Sequence, residues 1–322
     1  MAGAAVEGIL ELAPLSRLKS GALDRLLEEE IAEWRELLWW DFRASADLVR
    51  HYIDIQILNG FALLGAGAPV GYSYYVIDEH KGLIGDLYVR GRWRTAENEH
   101  RLLDATVDTL VRAPSVRRIE SQLMMFSTAR ERVLPHSRLA HAHPRNFMLA
   151  SLADVTGLPP GRATRGVFIE PWDERRYEEA AQVIAAAYEG HIDSQINNQY
   201  NSVAGARRFL HNIVEYPGCG SFFNPASFLA FDRATADACG ISLASLVASD
   251  IGHITQICVR PRVQGTGVGY ELLRRSLTAL AEHGCRKVSL TVTAANSGAV
   301  QLYERVAFHT ARCFNALVWD GF

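Results

Sequence analysis

The sequence has few cysteines, and their spacing fits neither a disulfide framework nor a zinc site. Five occur among 322 residues, an odd number with no Cys-x-x-Cys pair. We therefore expect free thiols in a reducing compartment. His136, His141 and His143 lie close together in sequence, but no cysteine or nearby carboxylate completes a ligand set. No metal is predicted.

A strong excess of one charge is missing as well, and so is a long apolar run. The net charge of −3 gives no general attraction to nucleic acid or to an anionic membrane. No apolar run reaches the ~18 residues that a membrane span needs. The N-terminal segment carries Glu7 and Glu11 and lacks a basic cluster, so it is a poor secretory signal. These features predict a cytoplasmic globular protein, with neither nucleic acid nor membrane as a partner.

The clearest positive signal is the glycine-rich segment VQGTGVGYELL at 263–273. The segment before it, HITQICV (253–259), is apolar with a β-branched bias and predicts a strand. The segment after it, 269–284, has leucines at helical spacing and ends at a glycine, so it predicts a helix. A strand, a glycine turn and a helix N-terminus form an anion site, because exposed N–H groups and the helix dipole both favour negative charge.

Two common phosphate-binding motifs do not fit this segment. The Walker loop requires Lys-Ser or Lys-Thr after its glycines, and the dinucleotide fingerprint requires its third glycine one residue later. The segment instead matches Gln/Arg-x-x-Gly-x-Gly/Ala through Gln264, Gly267 and Gly269. This pattern resembles the acyl-CoA pyrophosphate loop of the GNAT superfamily of N-acetyltransferases. Taken alone it could also be a turn that only packs a helix on a sheet.

A second motif supports the resemblance. The segment KVSLTVTAANSGAVQLYERVAF (287–308) is similar to the family signature N-x-x-A-x-x-L-Y-x-x-x-G-F, although Ala307 replaces the usual glycine. The residues in register are Asn296, Ala299, Leu302, Tyr303 and Phe308. The resemblance is strongest over 226–320. It implies the α/β (α+β) class, with a mixed, mostly antiparallel twisted sheet flanked by helices. It also implies an acyltransferase that uses acetyl-CoA as co-substrate and no metal.

An internal repeat indicates two such domains. The segment 87–110 aligns without a gap to 257–280, so that Val89-Arg90 meets Val259-Arg260. The stretch 156–166, TGLPPGRATRG, is rich in glycine and proline, as a boundary between copies should be. We therefore predict tandem GNAT-like domains, with a degenerate copy over 1–155 and a catalytic domain over 165–322.

The two copies differ at both motifs. The first has Arg-Thr-Ala-Glu-Asn-Glu at 94–99, where the second has its glycine loop, and carboxylates there would repel a pyrophosphate. The counterparts of Asn296 and Tyr303 are Ser127 and Leu134. The first domain is therefore expected to lack a CoA loop and to be structural, or to form part of an acceptor-side wall.

The resemblance implies roles for residues of the second copy. The strand end would pair with the pantetheine amides, and the loop N–H groups would hold the pyrophosphate. Arg262 and Gln264 could add side-chain donors. The predicted cofactor-binding residues are Ile257, Cys258, Val259, Arg262, Gln264, Gly265, Thr266, Gly267, Val268, Gly269 and Asn296.

Three residues are predicted to be catalytic. Tyr303 matches the family's general acid, which protonates the CoA thiolate, although a helix tyrosine can also serve packing alone. Asn296 matches the residue that contacts the pantetheine arm or an ordered water, and asparagine also caps helices. His253 stands where many members carry a glutamate, so it can be the general base, or else a core residue. Asp250 is the second candidate for the base.

Acceptor recognition is assigned to the polar segment AYEGHIDSQINNQYNSV at 187–203, which could equally be a solvated loop. The predicted substrate-binding residues are His191, Asp193, Gln195 and Tyr200. The predicted function is transfer of an acetyl group from acetyl-CoA to the amine of a small-molecule acceptor, by direct attack in a ternary complex. The alternatives are a GNAT-fold protein that uses another acyl-CoA, for longer-chain transfer or decarboxylation, and a non-catalytic acyl-CoA sensor.

Overall fold

The computed structural model describes residues 10–126, 131–155, 157–161, 166–216 and 218–322, which form two compact units. The first unit comprises Met1–Leu38, Phe42–His143 and Phe314–Phe322, and the second comprises Trp39–Asp41 and Pro144–Cys313. Within the described residues, no helix is long and apolar enough to cross a membrane.

The first unit is built on an antiparallel sheet with one parallel neighbour. Its elements are β1 (Glu11–Pro14), α1 (Asp24–Leu38), α2 (Arg43–Asp54), β2 (Asn59–Gly65), β3 (Ala68–Asp78), β4 (Lys81–Val89), α3 (Ala96–Arg112) and β5 (Arg118–Gln122). Strands β1 to β4 pair antiparallel in chain order, and β5 runs parallel to β4. The buried leucines Leu102, Leu103 and Leu110 of α3 join the core of this sheet.

The second unit has the same kind of sheet. The remaining elements of the chain are β6 (Ala140–Ser151), α4 (Leu152–Val155), β7 (Val167–Pro171), α5 (Tyr177–Tyr188), α6 (Asp193–Ile196), α7 (Val203–Glu215), β8 (Ser221–Phe222), β9 (Phe228–Asp232), β10 (Ala238–Ala248), β11 (Ile251–Val259), α8 (Val268–Glu282), β12 (Lys287–Thr293), α9 (Ser297–Arg305) and β13 (His309–Asp320). Strands β7, β9, β10 and β11 pair antiparallel in that order, and β12 lies parallel to β11. The predicted fold class, mixed and mostly antiparallel sheets flanked by helices, is confirmed.

The compact units follow strand pairing rather than the sequence repeat. From Arg145 onward β6 pairs with β12, so this strand belongs to the second unit. From Ala316 onward β13 pairs with β5, so the end of the chain belongs to the first unit. The units therefore divide the chain at other places than the predicted halves, 1–155 and 165–322, which rest on the repeat alone.

Both units repeat one local geometry in the middle of the sheet. In the second, β11 pairs with β12 only from Ile251 to Ile254, and the next residue, Thr255, is a bulge opposite β10. In the first, β4 pairs with β5 only as far as Ile84, and Gly85 is the bulge opposite β3. Parallel strands thus separate at aligned positions of the two repeats. A bulge bends its strand, which suits this separation.

Alternation along β10 places helices on both faces of the second sheet. Leu243 packs with α5 and α7 residues such as Ile184, whereas the next residue, Ala244, packs with α8 residues such as Leu277. Each fully buried leucine of this kind contributes about 1.5–3 kcal/mol. The glycine at 252 leaves room for α8, because a Cβ there would lie 2.6 Å from Leu280. This packing brings the N-terminus of α8 to the end of β11.

Candidate active site

An open strand edge runs through the second unit. Beyond Ile254, β11 no longer pairs with β12, so the backbone of 255–259 forms no ladder on that side with any strand that the structure describes. Ile257, Cys258 and Val259, three of the predicted cofactor-binding residues, lie on this stretch and are partly exposed. A strand edge of this kind can pair with the amides of an extended ligand.

The glycine loop follows this edge directly. Gly265 has φ +73° and Gly267 has φ +93°, a left-handed conformation that favours glycine. Gly267 is the N-cap of α8, and in the described part of the chain the N–H groups of Gly267, Val268 and Gly269 bond to no carbonyl. Free N–H groups at the positive end of a long helix form an anion site.

The side chains around the loop are arranged differently from the expectation. Arg262 lies 3.6 Å from Asp237 and 3.9 Å from Asp232, so its guanidinium is directed at carboxylates of the β9–β10 turn. The hydroxyl of Thr266 donates to the Val263 carbonyl at 2.6 Å. Arg260 directly follows β11, and its Nε is buried without a hydrogen-bond partner among the described residues. Arg260 was not predicted to belong to the site. Its position as a basic residue directly after the predicted strand was the available signal.

Helix α9 carries the second motif. Asn296 is its N-cap, and the Oδ1 atom accepts the Ala299 N–H at 3.3 Å. The Nδ2 atom of the same side chain lies 3.3 Å from His191 Nε2. Asn296 thus caps the helix and faces the predicted acceptor segment at the same time.

Tyr303 lies on the same helix and is only 6% exposed. Burial raises the pKa of its phenol well above the usual range, and the Asp193 carboxylate acts in the same direction, while Arg145 opposes both. No hydrogen-bond partner for the hydroxyl is found within the described ranges. A phenol with a raised pKa remains protonated at neutral pH, and this is the state that a general acid needs.

A polar cluster surrounds Asp193, at the start of α6. Its carboxylate accepts a hydrogen bond from Thr293 at the end of β12, and it lies 3.8 Å from Arg145 Nη1 and 3.7 Å from His191 Nδ1. Arg145 enters the cluster because it stands opposite Thr293 in the β6–β12 register. Sequence reasoning missed it, since nothing local indicates which strand β6 will join.

A second group of polar side chains adjoins this cluster. Tyr188 and Tyr200 stack with ring centroids 4.2 Å apart, and Gln256 donates to the Tyr188 hydroxyl at 2.8 Å. The Tyr200 hydroxyl donates to Gln256 Oε1 at 3.5 Å. Tyr188 and Gln256 were not predicted. A glutamine inside the apolar strand HITQICV was the available signal for Gln256, because a buried polar side chain needs a partner.

His253, Asp250 and Gln195 were also predicted, and they lie outside these two groups of polar side chains. His253 is 4% exposed, its Nδ1 lies 2.8 Å from Ser289 Oγ, and its ring is 5.1 Å from that of Trp40. Burial lowers the pKa of His253 to about 4. Asp250 pairs with Arg286 at the opposite end of β11 from the glycine loop, and Gln195 is exposed.

The buried imidazole of His253 predicts a loss of stability in mild acid. The unfolded chain takes up a proton near pH 6.5, whereas the folded chain does so only near pH 4. Stability is therefore fully present above about pH 6.5 and falls as the pH drops toward 4, by about 3 kcal/mol. Chemical denaturation of wild type and His253→Gln between pH 7 and 4 measures this. A wild-type decline equal to that of the variant would show that His253 does not cause it.

The first unit has a different arrangement at the aligned loop. Arg94 donates to the Glu33 carboxylate through both terminal nitrogens and to the Val89 carbonyl at 2.8 Å through Nε. Thr95 caps α3 by accepting the Asn98 N–H at 3.2 Å. Ser127, the predicted counterpart of Asn296, lies outside the described residues.

Comparison with known proteins decides the family. Residues 198–308 match the family model described as "Acetyltransferase (GNAT) family", a range that contains the glycine loop and the α9 motif. This part of the chain belongs to the GNAT family. The match confirms the resemblance inferred from the two motifs. The GNAT match starts inside the second unit and does not include the first.

Curated relatives match part of the same unit. A mycothiol acetyltransferase from Mycolicibacterium smegmatis is 34% identical over 101 residues, which is 30% of this chain and 34% of that protein. An N-alpha-acetyltransferase MAK3 from Arabidopsis thaliana is 36% identical over 61 residues, which is 19% of this chain and 32% of that protein. The chain therefore matches about a third of the length of these relatives.

Solved structures resemble the whole chain. A GCN5-related N-acetyltransferase from Sphaerobacter thermophilus has a TM-score of 0.65 at 17% identity, covering 99% of this chain and 98% of its own. A tandem GNAT protein from the clavulanic acid biosynthesis pathway has a TM-score of 0.57 at 13% identity, covering 96% and 98%. At such identities the likeness shows the fold, which is that of GNAT proteins.

Proposed function

We propose that the second unit binds acetyl-CoA and transfers its acetyl group to the amine of a small-molecule acceptor. One observation carries this proposal: the open edge of β11 ends in a loop whose N–H groups at Gly267, Val268 and Gly269 bond to no carbonyl of the described residues. An extended arm with amides fits the edge, and a pyrophosphate fits the helix N-terminus. Acetyl-CoA has both parts in this order.

The loop and its neighbours fit the charged end of the co-substrate. The N–H groups would hold the pyrophosphate, and the glycines allow the close approach that a side chain would block. Arg260 adds a buried guanidinium nitrogen without a partner among the described residues. We assign Gln264 and Thr266 to the rim of this site, while Arg262 reaches it only by leaving Asp232 and Asp237.

Tyr303 supplies the proton that the reaction needs at sulfur. When the amine nitrogen bonds to the thioester carbon, the carbon–sulfur bond breaks and the CoA thiolate leaves. A neutral phenol held near that sulfur donates its proton to the thiolate. Asn296, whose amide faces the acceptor segment, would contact the pantetheine arm.

Direct attack fits the site better than a covalent enzyme intermediate. The cysteine on the open edge is Cys258, and burial raises the pKa of its thiol to about 12. A thiol with this pKa stays protonated at neutral pH and is a poor nucleophile. Amine and acetyl-CoA would therefore be bound together when the acetyl group moves.

The acceptor pocket is assigned to the polar groups around Asp193 and Tyr200. Carboxylate, imidazole, amide and phenol groups converge there, and such a lining suits a polar amine. The relatives are named for different reactions, one as a mycothiol acetyltransferase and the other as an N-alpha-acetyltransferase. We infer a small-molecule acceptor because the polar segment assigned to this pocket, 187–203, is short.

We assign the co-substrate to the second unit alone. In the first unit Arg94 is bound to Glu33, and Thr95 already caps the helix at the aligned loop. The carboxylate of Glu99 is buried 4.0 Å from Arg94. Buried negative charge at this place would repel a pyrophosphate.

Release of free CoA tests the proposed function. The full chain is incubated with acetyl-, malonyl- or longer acyl-CoA, with and without a panel of small amines. We expect release that depends on the amine and is fastest with acetyl-CoA. Binding of acetyl-CoA without release for any amine would instead support a sensor. Conversion of malonyl-CoA to acetyl-CoA and CO₂ without an amine, and without release of free CoA, would support decarboxylation.

A further inference from the structure

We propose that Arg145 binds a carboxylate of the acceptor, and that the second unit therefore acetylates small amines that carry a carboxylate, as amino acids do. This inference rests on the proposed acetyl transfer and names the class of its acceptor. Arg145 lies on β6, and 13% of its side chain is exposed, so a small ligand can reach it.

The guanidinium of Arg145 is largely buried without a matching acceptor group. Within the described ranges its Nε is buried and has no hydrogen-bond partner. The Asp193 carboxylate is its charged neighbour, but Oδ1 lies 3.8 Å from Nη1, which is too long for a hydrogen bond. That oxygen accepts the Thr293 hydroxyl instead. Because a buried cation without hydrogen bonds is unfavourable, this place suits a ligand that brings acceptor oxygens.

Arginines that are covered to a similar degree elsewhere in the chain have carboxylate partners. The side chains of Arg94 and Arg274 are 18% and 20% exposed. Arg94 donates to the Glu33 carboxylate at 2.7 Å. Arg274 donates to the Glu271 carboxylate at 2.7 Å. Since Arg145 has no such bond to the described residues, we assign its carboxylate to the bound acceptor.

The register of the sheet turns Arg145 toward the acceptor segment. Arg145 stands opposite Thr293, and the side chains of opposed residues lie on the same face of a sheet. Met148 and Leu290 are each three residues away on these strands, and both pack in the core that includes α8. Odd spacing puts them on the other face. Arg145 and Thr293 therefore face away from α8, toward Asp193 at the start of α6.

The reacting end of the proposed site is close to this guanidinium. Asn296 follows Thr293 by three residues, and its backbone N–H donates to the Thr293 carbonyl at 2.9 Å. Burial raises the pKa values of Tyr200 and Tyr303, and the charge of Arg145 opposes this rise in both phenols. A molecule with its carboxylate at Arg145 and its amine at the end of the pantetheine arm can therefore be short.

The charges fit a carboxylate better than a phosphate. A guanidinium presents a planar fork of N–H groups that matches the two oxygens of a carboxylate. Asp193 lies beside the fork, and it would repel a doubly charged phosphate more strongly than a singly charged carboxylate. Arg145 and Asp193 together offer one charge of each sign. This pair is complementary to a molecule that has an amine and a carboxylate.

Paired acceptors test the assignment in the full chain with acetyl-CoA. L-alanine, β-alanine and 4-aminobutanoate are each compared with their carboxamides by release of free CoA. In wild type, kcat/KM for the best carboxylate should exceed that of its carboxamide about 10- to 100-fold. In Arg145→Gln the carboxylate should lose this factor, mainly through KM, while the carboxamide keeps its rate. Arg145→Lys keeps the charge without the fork and should retain part of the preference.

Two controls accompany these variants. Arg207→Gln replaces an arginine of α7 that is 61% exposed and should keep the wild-type preference. The affinity of Arg145→Gln for acetyl-CoA, measured by calorimetry, should be unchanged. Equal losses with carboxylate and carboxamide in Arg145→Gln would assign Arg145 to positioning Asp193 and overturn the inference. An unchanged kcat/KM in that variant would also overturn it.

The wild-type results separate this inference from the proposed function. Release of CoA with neutral amines but with none of the carboxylates would overturn the inference and leave acetyl transfer standing. Release with no amine at all would count against the proposed function. The same pairs titrated into the CoA-bound chain then test Arg145 by affinity alone, and equal affinity for carboxylate and carboxamide would overturn the inference.

Discussion

Tyr303→Phe should lower kcat about 100- to 10,000-fold, because the CoA thiolate then leaves without a proton donor. The phenol is needed only as charge develops on sulfur, so the affinity for acetyl-CoA should be nearly unchanged. Burial already holds the phenol in its protonated form, and the ring packs beside Phe308 at 6.0 Å. Phenylalanine keeps this packing and removes only the hydroxyl.

Steady-state kinetics and calorimetry separate the two roles of Tyr303. Tyr216→Phe is a matched control, since Tyr216 is 60% exposed and lies after α7. The control should keep the wild-type kcat. A fall in affinity as large as the fall in kcat would assign Tyr303 to binding. An unchanged kcat would leave the tyrosine as a packing residue.

Gly267→Val should weaken acetyl-CoA binding about 100-fold or more, since charge-assisted hydrogen bonds of about 1.5–3 kcal/mol each would be lost. A valine side chain would stand beside the N–H groups that face the pyrophosphate. It would also be forced into φ +93°, a region that β-branched residues avoid. Isothermal titration calorimetry with acetyl-CoA measures the effect.

A strain-matched control separates these two causes. Gly67 in the first unit has φ +80°, and a Cβ at this residue would meet no other atom within 4 Å. Gly67→Val therefore brings comparable backbone strain far in sequence from the loop. It should bind acetyl-CoA as wild type does, with a loss of stability similar to that of Gly267→Val. Wild-type affinity in Gly267→Val would show that the loop is only a packing turn.

Local sequence signals predicted the parts of the site that depend on neighbours in the chain. The strand HITQICV is part of β11, and the glycine turn leads into α8 at Val268, one residue before the predicted start. Asn296 caps α9, as the pattern allowed. These features follow from backbone conformation and capping, which depend on a few adjacent residues.

The rest of the site depends on contacts between segments that are distant in sequence. Arg145 reaches Asp193 only because β6 joins β12, and the burial of His253 depends on Trp40 and Ser289, which are distant in sequence. The residue pattern of a strand does not specify which other strands it pairs with. In the same way, nothing local to β13 indicates that its end pairs with β5.

Titration of the full chain with acetyl-CoA tests the central claim most directly. The claim is that one co-substrate site exists and that Gly267 and its neighbours form it, while the Arg94–Glu33 pair occupies the aligned loop of the first unit. Calorimetry should give one acetyl-CoA per chain in wild type, and in Gly267→Val the affinity of this site should be lower by about 100-fold or more. Two sites per chain, or a site of wild-type affinity in Gly267→Val, would contradict the account.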